Sequence, residues 1–330
     1  MNFKKLLTIL LAVAMLLSFA ACGDPDTNEP VPPEVAESDL IDSIGTWLLE
    51  AVPEAKYGSA GGEWVVFGLA RSGVEVPEEY YEAYFESVAA YTAELGGVLH
   101  EKKYTEYSRV ILAVTAIGKD PTDVGGFNLL VPLADYEQTI FQGINGPIFA
   151  LLALDSGNYE IPENVADSTQ ATRELYVDYI LSAECSGGGW TLAGDGADVD
   201  ITAMALQALA KYRDRQDVAD AVDRALTVLS ELQNNDGGYS AYGSESSESI
   251  SQVITALAEL GISIDDPRFV KNGNTLKDRL LAYMSEDGGS RHVLDGDTDL
   301  MATEQAFYAL AALNRMEQNQ NSLYDMSDVQ

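Results

Sequence analysis

Two kinds of helical pattern alternate along the chain. Stretches such as 199–211, 247–260 and 300–313 are small and apolar on nearly every face, the pattern of a helix surrounded by other helices. Between them lie stretches like 217–233, where Val218, Val222, Ala225, Leu229 and Leu232 form one stripe and Asp220, Asp223, Arg224 and Glu231 cover the rest. That is a helix with one face in water, and 77–95 and 167–183 follow the same rule. The apolar type recurs at 62–72, 104–118, 144–156, 199–211, 247–260 and 300–313. An amphipathic partner precedes each, beginning near 38, 77, 127, 167, 217 and 273, so six helical hairpins are predicted. Gly118-Lys119-Asp120-Pro121 and Gly261-Ile262-Ser263 read as helix stops, with glycine supplying a left-handed cap and Pro121 blocking resumption.

A repeat underlies the alternation. Asp236-Gly237-Gly238-Tyr239 recurs as Asp287-Gly288-Gly289-Ser290 and, upstream, as Gly188-Gly189-Trp190, with spacings of 49 and 51 between the second glycines. A period near 50 suits a hairpin of two helices. Alternating buried and half-exposed helices predict an all-α fold, an α/α toroid of six hairpins with an inner and an outer six-helix barrel. The alternative, an open solenoid, would leave one face of the inner helices wet, and they are too apolar for that.

The N-terminus has a different character. Lys4 and Lys5 precede a mostly apolar run from Leu6 to Ala21 of about 16 residues, short of the roughly 20 a membrane span needs, which makes residues 1–22 an export signal. Phe19-Ala20-Ala21-Cys22 resembles the bacterial lipobox, and the resemblance implies acylation of Cys22; a plain secretory cut near Ala21 is the alternative. Residues 23–37 are rich in Asp, Glu and Pro and read as a tether, followed by one domain over 38–330. The expected location is the extracellular face of a bacterial membrane, lipid-anchored, or otherwise secreted.

Composition narrows the partners. Nineteen Lys and Arg against 53 Asp and Glu give a net charge of −34, so a basic footprint for nucleic acid is absent. With 46% hydrophobic residues the chain is that of a globular protein, not a disordered one. Two cysteines, Cys22 and Cys185, make no disulfide framework, and His100 and His292 are too few for a structural zinc site. No metal and no evident cofactor are expected.

Gln233-Asn234-Asn235-Asp236-Gly237-Gly238-Tyr239 and Gly188-Gly189-Trp190 resemble the Gly-aromatic repeats of the terpenoid cyclase and protein prenyltransferase toroid superfamily. Asp198-Val199-Asp200-Ile201-Thr202-Ala203-Met204-Ala205 and the segment from Ser246 to Leu257 are similar to one branch, the bacterial surface proteins called prenyltransferase/squalene-oxidase-repeat proteins. That toroid is also similar to the one in intrinsic factor and transcobalamin. The resemblance spans roughly 38–330 and implies the toroid; for function it implies enzymes, binders and adhesive domains alike. Class II terpene cyclases protonate substrate with the middle Asp of Asp-x-Asp-Asp-Thr-Ala. Here Asp198 and Asp200 keep the first two acids, Thr202-Ala203 follow, and Ile201 replaces the last Asp. The Asp, Cys and His zinc set of protein prenyltransferases finds no match in the contexts of Cys185 and His292, and the thioester signature of complement-like toroids is missing.

The candidate residues cluster at the starts of the inner helices. Asp198 and Asp200 are either caps for free N–H groups or cavity carboxylates. Glu248 aligns with Asp200, and the same register places Asp299 nearby in the last repeat. Six inner helices running one way would gather these acids around one mouth. Trp64, Trp190, Tyr239 and Tyr242 lie at or beside glycines where the chain enters an inner helix, and either line the bore or pack the repeats together. Arg109, Gln252 and Gln305 share an aligned position on apolar helices, so they either pair with neighbours or face water and ligand. Asn145, Gly146 and Pro147 bring a tight bend to the same mouth.

The first functional reading is a lipid-anchored extracellular toroid that binds a small molecule, glycan or protein at its central cavity, without chemistry. Likeness to the cobalamin carriers names cobalamin as one candidate ligand. In those carriers a second, β-rich domain closes over the corrin, and 38–330 leaves no room for one. The alternatives are a toroid enzyme with Asp200 as its acid, either a degenerate terpene cyclase or a polysaccharide-acting enzyme, and an adhesive or scaffold module.

Overall fold

A computed structural model describes residues 37–241 and 244–329. The signal, the tether, Cys22 and Tyr242 lie outside the described residues. Six inner helices, α2 (Trp64–Ser72), α4 (Thr105–Ala116), α6 (Asn145–Ser156), α8 (Val199–Leu209), α10 (Ser247–Glu259) and α12 (Leu300–Glu317), carry most of the buried side chains. Each packs on the next, and α12 returns to α2. Gly68 of α2 lies so close to α12 that a Cβ there would stand 3.0 Å from the Phe307 ring. The ring therefore closes, and the fold is the α/α toroid.

The outer layer is less regular than the pattern predicts. The helices α1 (Glu37–Ala51), α3 (Glu78–Glu94) and α9 (Gln216–Leu232) match it. The third outer position holds only a 3-10 turn at Pro132–Ala134, the four-residue α5 (Tyr136–Thr139) and a 3-10 turn at Ile140–Gln142. Gly125, Gly126 and Pro132 interrupt any longer helix there. The fourth, α7 (Arg173–Ser182), begins at the Thr172 cap rather than near 167. Residues before that cap are used elsewhere: the Asn164 amide donates to Ser168, and Ala171 N–H donates to the Ala134 carbonyl. The sixth, α11 (Leu276–Leu281), is six residues long and starts with a reciprocal Thr275–Asp278 capping box. A two-stranded ribbon, β1 (Ser240–Ala241) with β2 (Ser244–Glu245), precedes α10.

One end of the inner barrel is sealed by residues 318–329. Arg71 from α2 donates to the carbonyls of Ser322, Leu323 and Asp325 and pairs with Asp328, which also receives Arg315 from α12. Ser322 Oγ and Tyr324 N–H donate to Glu259 of α10, and Met326 N–H donates to the Ser156 carbonyl of α6. The last turns of α2, α6, α10 and α12 thus all meet the same segment. The inner helices run in one direction, with their N-termini at the opposite, open end. No helix among the described residues is long and apolar enough to cross a membrane.

Candidate functional site

The open end presents a repeated pair of positions. On otherwise buried helices, Asn145 and Phe149, Asp200 and Met204, Glu248 and Gln252, Met301 and Gln305 are less buried than the residues between them, four apart in each case; Thr105 and the buried Arg109 hold the same two positions on α4. Four residues is about one helical turn, so each of these five helices turns one narrow stripe to the bore. Met301 stands where Asp200 and Glu248 stand in their repeats. Asp299 corresponds to Asp198 instead.

This register separates the acids by role. Asp198, Ser246 and Asp299 are N-caps, accepting from the N–H groups of Ile201, Ser249 and Ala302 at 3.0, 3.3 and 2.8 Å. Asp200 is not a cap. Its Oδ1 is buried with no partner, and burial, with Asp198 and Glu248 close by, pushes its pKa up to about 6 against a hydrogen bond from Ser249. Glu248 accepts from His292 Nδ1 at 2.8 Å, so the lone loop histidine of the sequence has a partner at the rim.

Arg109 does not face the bore unaccompanied. Its Nε donates to Glu63 Oε2 at 2.7 Å and its Nη2 to Glu106 Oε2 at 2.6 Å. Glu63 also accepts from Gly58 N–H and from Tyr84 Oη, and Glu106 from Tyr57 Oη at 2.8 Å. Burial raises the Glu63 pKa while the Arg109 ion pair pulls it down. On the other side of the same loop Glu304, only 1% exposed, accepts from Gly61 N–H at 3.1 Å, and burial pushes its pKa up to about 8. No cation bonds to it among the described residues.

Gln252 and Gln305 pair with each other rather than standing free. Gln252 Nε2 donates to Gln305 Oε1 at 3.0 Å and to Tyr308 Oη at 2.6 Å, while Gln207 Nε2 donates to Gln252 Oε1. Tyr324 Oη, from the sealing segment, donates to Gln207 Oε1 at 3.2 Å. A hydrogen-bonded line therefore crosses the barrel from seal to bore.

The aromatic candidates divide. Trp64 is half-buried, with its ring centroid 6.0 Å from Phe149 and 6.0 Å from Tyr308. Trp190 and Tyr239 do not line the bore. Both are fully buried, with Trp190 Nε1 donating to the Ile180 carbonyl at 2.7 Å and Tyr239 Oη to the Leu229 carbonyl at 3.0 Å. Each bonds an outer helix, so these two tie the barrels together. Between Trp64 and Phe149 lies a cavity of about 170 Å³, lined also by Ser59, Thr105, Arg109 and Asn145. Asn145 Oδ1 is buried and unpartnered. Glu63, Glu106, Phe149, Glu304 and Tyr308 were not among the sequence candidates. Glu304 carried a signal, being a carboxylate inside an apolar helix; Glu63 follows Gly61-Gly62 and precedes Trp64, a variant of the Gly-Gly-aromatic motif. No group of three or more His, Cys, Asp or Glu among the described residues is placed to hold a metal ion.

No protein-family model matches the chain, and no curated protein does. Solved structures do. A type II terpene cyclase from Scytonema is 15% identical with a TM-score of 0.54, covering 85% of this chain and 97% of its own. A polysaccharide lyase is 12% identical with a TM-score of 0.56, covering 86% and 97%. The unsaturated glucuronyl hydrolase of Bacillus sp. GL1 is 14% identical with a TM-score of 0.52, covering 87% and 97%. At these identities the likeness is one of fold alone.

Proposed function

We propose that this chain is a lipid-anchored, extracellular α/α toroid that binds a small ligand or partner at the mouth of its inner barrel, without chemistry. The observation that carries the reading is a pair of buried acceptors, Asp200 Oδ1 and Asn145 Oδ1, left without partners where the inner helices begin. Buried polar atoms are nearly always satisfied, and leaving one dry costs about 1–3 kcal/mol, so the mouth is built to be completed by something else. We assign the chain to the prenyltransferase/squalene-oxidase-repeat surface proteins on the motifs around Asp198 and Asp236. The net charge of −34 disfavours nucleic acid and other polyanions.

Mass spectrometry of compounds retained by the purified full-length protein tests the binding reading. A compound enriched on the wild type and lost from Asn145→Ala supports it; equal retention by both overturns it. Cobalamin, if retained, identifies itself by its visible absorption. Anchoring rests on Lys4, Lys5, the apolar run and Cys22. A labelled fatty acid should tag the wild type and not Cys22→Ala.

Asp200 favours a second reading, a toroid enzyme of terpene-cyclase or polysaccharide-acting type. A carboxyl with a pKa near 6 is partly protonated at neutral pH and can act as an acid. Turnover of a squalene-like polyprene or a glycan by the wild type, abolished in Asp200→Asn with an unchanged melting temperature, would replace the binding reading with this one. Ile201 stands against the cyclase, because it removes the carboxylate that completes the acid motif. An adhesive or scaffold role is what remains if no small ligand is retained.

A further inference from the structure

The cavity between Trp64 and Phe149 is selective enough to name a ligand class. Its volume, about 170 Å³, is below the roughly 300–1,000 Å³ of sites that enclose a drug-sized molecule. One ring or a chain end fits, with the remainder of the ligand outside the mouth. Two aromatic side chains supply apolar faces, their centroids 6.0 Å apart and their planes inclined by 55°. Opposite polarities lie beside them. Arg109 is 8% exposed and spends Nε and Nη2 on Glu63 and Glu106, which leaves Nη1 without a hydrogen bond among the described residues. Asn145 Oδ1 is a buried acceptor, also unpartnered.

These features eliminate the simpler classes. A hydrocarbon chain would leave both Nη1 and Oδ1 dry and unpaired, at a cost for each. An anion gains little, since two carboxylates already meet the Arg109 charge. An ammonium meets no acidic side chain in the lining, and the nearby Glu63 and Glu106 are already bound to Arg109. What satisfies the set is a neutral ring with an apolar C–H face and neighbouring groups that both accept and donate.

Resting on the reading of the mouth as a binding site, we propose that this cavity takes the terminal ring of a neutral saccharide. Its C–H face lies against Trp64 and Phe149, one hydroxyl accepts from Arg109 Nη1 and an adjacent one donates to Asn145 Oδ1. Ser59 and Thr105 bring further hydroxyls to the edge.

Saturation-transfer NMR and tryptophan fluorescence of the full-length protein, titrated with glucose, galactose, N-acetylglucosamine and their disaccharides, test this. At least one neutral sugar should receive saturation at its ring C–H protons and bind at least tenfold more tightly than glucosamine or glucuronate. Asn145→Ala and Phe149→Leu should each weaken it at least tenfold with little change in melting temperature. Trp64→Phe should remove the fluorescence change while binding persists. Absence of binding by every neutral sugar, or binding that Asn145→Ala and Phe149→Leu leave unaltered, overturns the saccharide. Geranylgeraniol and spermidine serve as the other probes. If either binds in a manner that depends on Asn145 or Phe149, the ligand class is wrong and the mouth stands. If no probe of any class responds to these substitutions, the mouth reading falls too.

Discussion

Asp198 and Asp200 are two residues apart and opposite in function: the first caps α8 by accepting the Ile201 N–H at 3.0 Å, and the second keeps a buried oxygen with no partner. Asp198→Ala should therefore lower stability by about 1 kcal/mol, the usual cost of a lost cap. Asp200→Asn should behave otherwise. Its native pKa is raised from 3.8 to about 6, so ionisation costs the folded state increasingly as pH rises from 4 to 6, and above that window the cost is complete. The asparagine variant should match the wild type near pH 4 and be at least as stable at pH 8. Chemical denaturation at both pH values measures this, and a variant clearly less stable than the wild type at pH 8 would mean that the fold stabilises the Asp200 carboxylate rather than penalising it.

The inner barrel was legible because burial on all sides leaves a strong compositional mark, broken only by a few polar residues such as Arg109, Gln252 and Glu304, and the six apolar segments coincide with α2, α4, α6, α8, α10 and α12 to within a few residues. The outer layer was legible only where a long amphipathic stripe exists, as in α9. At 127–142 and 273–284 the chain covers the inner helices with turns, isolated bridges and helices of six residues or fewer, too short to show a periodicity. Site residues followed the same logic. Gln252 and Gln305 were found because long polar side chains are conspicuous on apolar helices, but which atoms they bond depends on neighbours some 50 residues away. For Trp190 and Tyr239 the sequence leaves bore lining and packing both open, because position after Gly-Gly does not say whether the ring turns toward the axis or the outer helix. Their hydrogen bonds to Ile180 and Leu229 show the second.

Glu304 should make the protein's stability fall as pH rises from mildly acidic to about 8. Burial, with Asp299 and Glu63 adding to it, raises its pKa from 4.5 to about 8 against the Gly61 hydrogen bond and the Arg109 charge. The proton is held more tightly folded than unfolded, so stability is lost as pH climbs from 4.5 to 8 and no further loss comes from this group above it. Glu304→Gln removes the ionisation and keeps an acceptor for Gly61 N–H. Its melting temperature should equal the wild type's near pH 4.5 and exceed it by several degrees at pH 9. A constant offset across the range would show that Glu304 is not titrating in the fold.

Gly189, the second glycine of its repeat, has neither the backbone conformation nor the space for a side chain. Its φ is +72°, and a Cβ would stand 2.8 Å from the Ala197 Cβ and 2.9 Å from Thr202 Oγ1. That hydroxyl accepts from Trp190 N–H at 2.9 Å and donates to the Trp190 carbonyl, so the clash falls on the clasp joining α8 to the loop before it. Gly194 shares the positive φ, +93°, with open space around it. Gly194→Ala should then cost only the backbone strain, about 1 kcal/mol, and Gly189→Ala at least twice as much. Equal losses in urea unfolding would remove the steric argument.

The Glu63–Arg109 pair makes the most exacting prediction, because both charges are nearly sealed from water. Desolvating such a pair offsets much of its attraction, so the intact bridge is worth little net, whereas removing one partner strands the other. Arg109→Met leaves Glu63 buried with only Gly58 N–H and Tyr84 Oη to hold it, and Glu106 with Tyr57 Oη. The expected loss is about 3–5 kcal/mol. It should shrink on acidification, since protonating Glu63 relieves the stranded charge, and the sign distinguishes this from a simple packing defect, which would not depend on pH. Adding Glu63→Gln to Arg109→Met should recover at least half of the loss. A double-mutant cycle by urea denaturation at pH 7.5 reads the coupling, and strictly additive losses would mean that Arg109 supports the mouth through the packing of its hydrocarbon stem rather than through its pairing with Glu63.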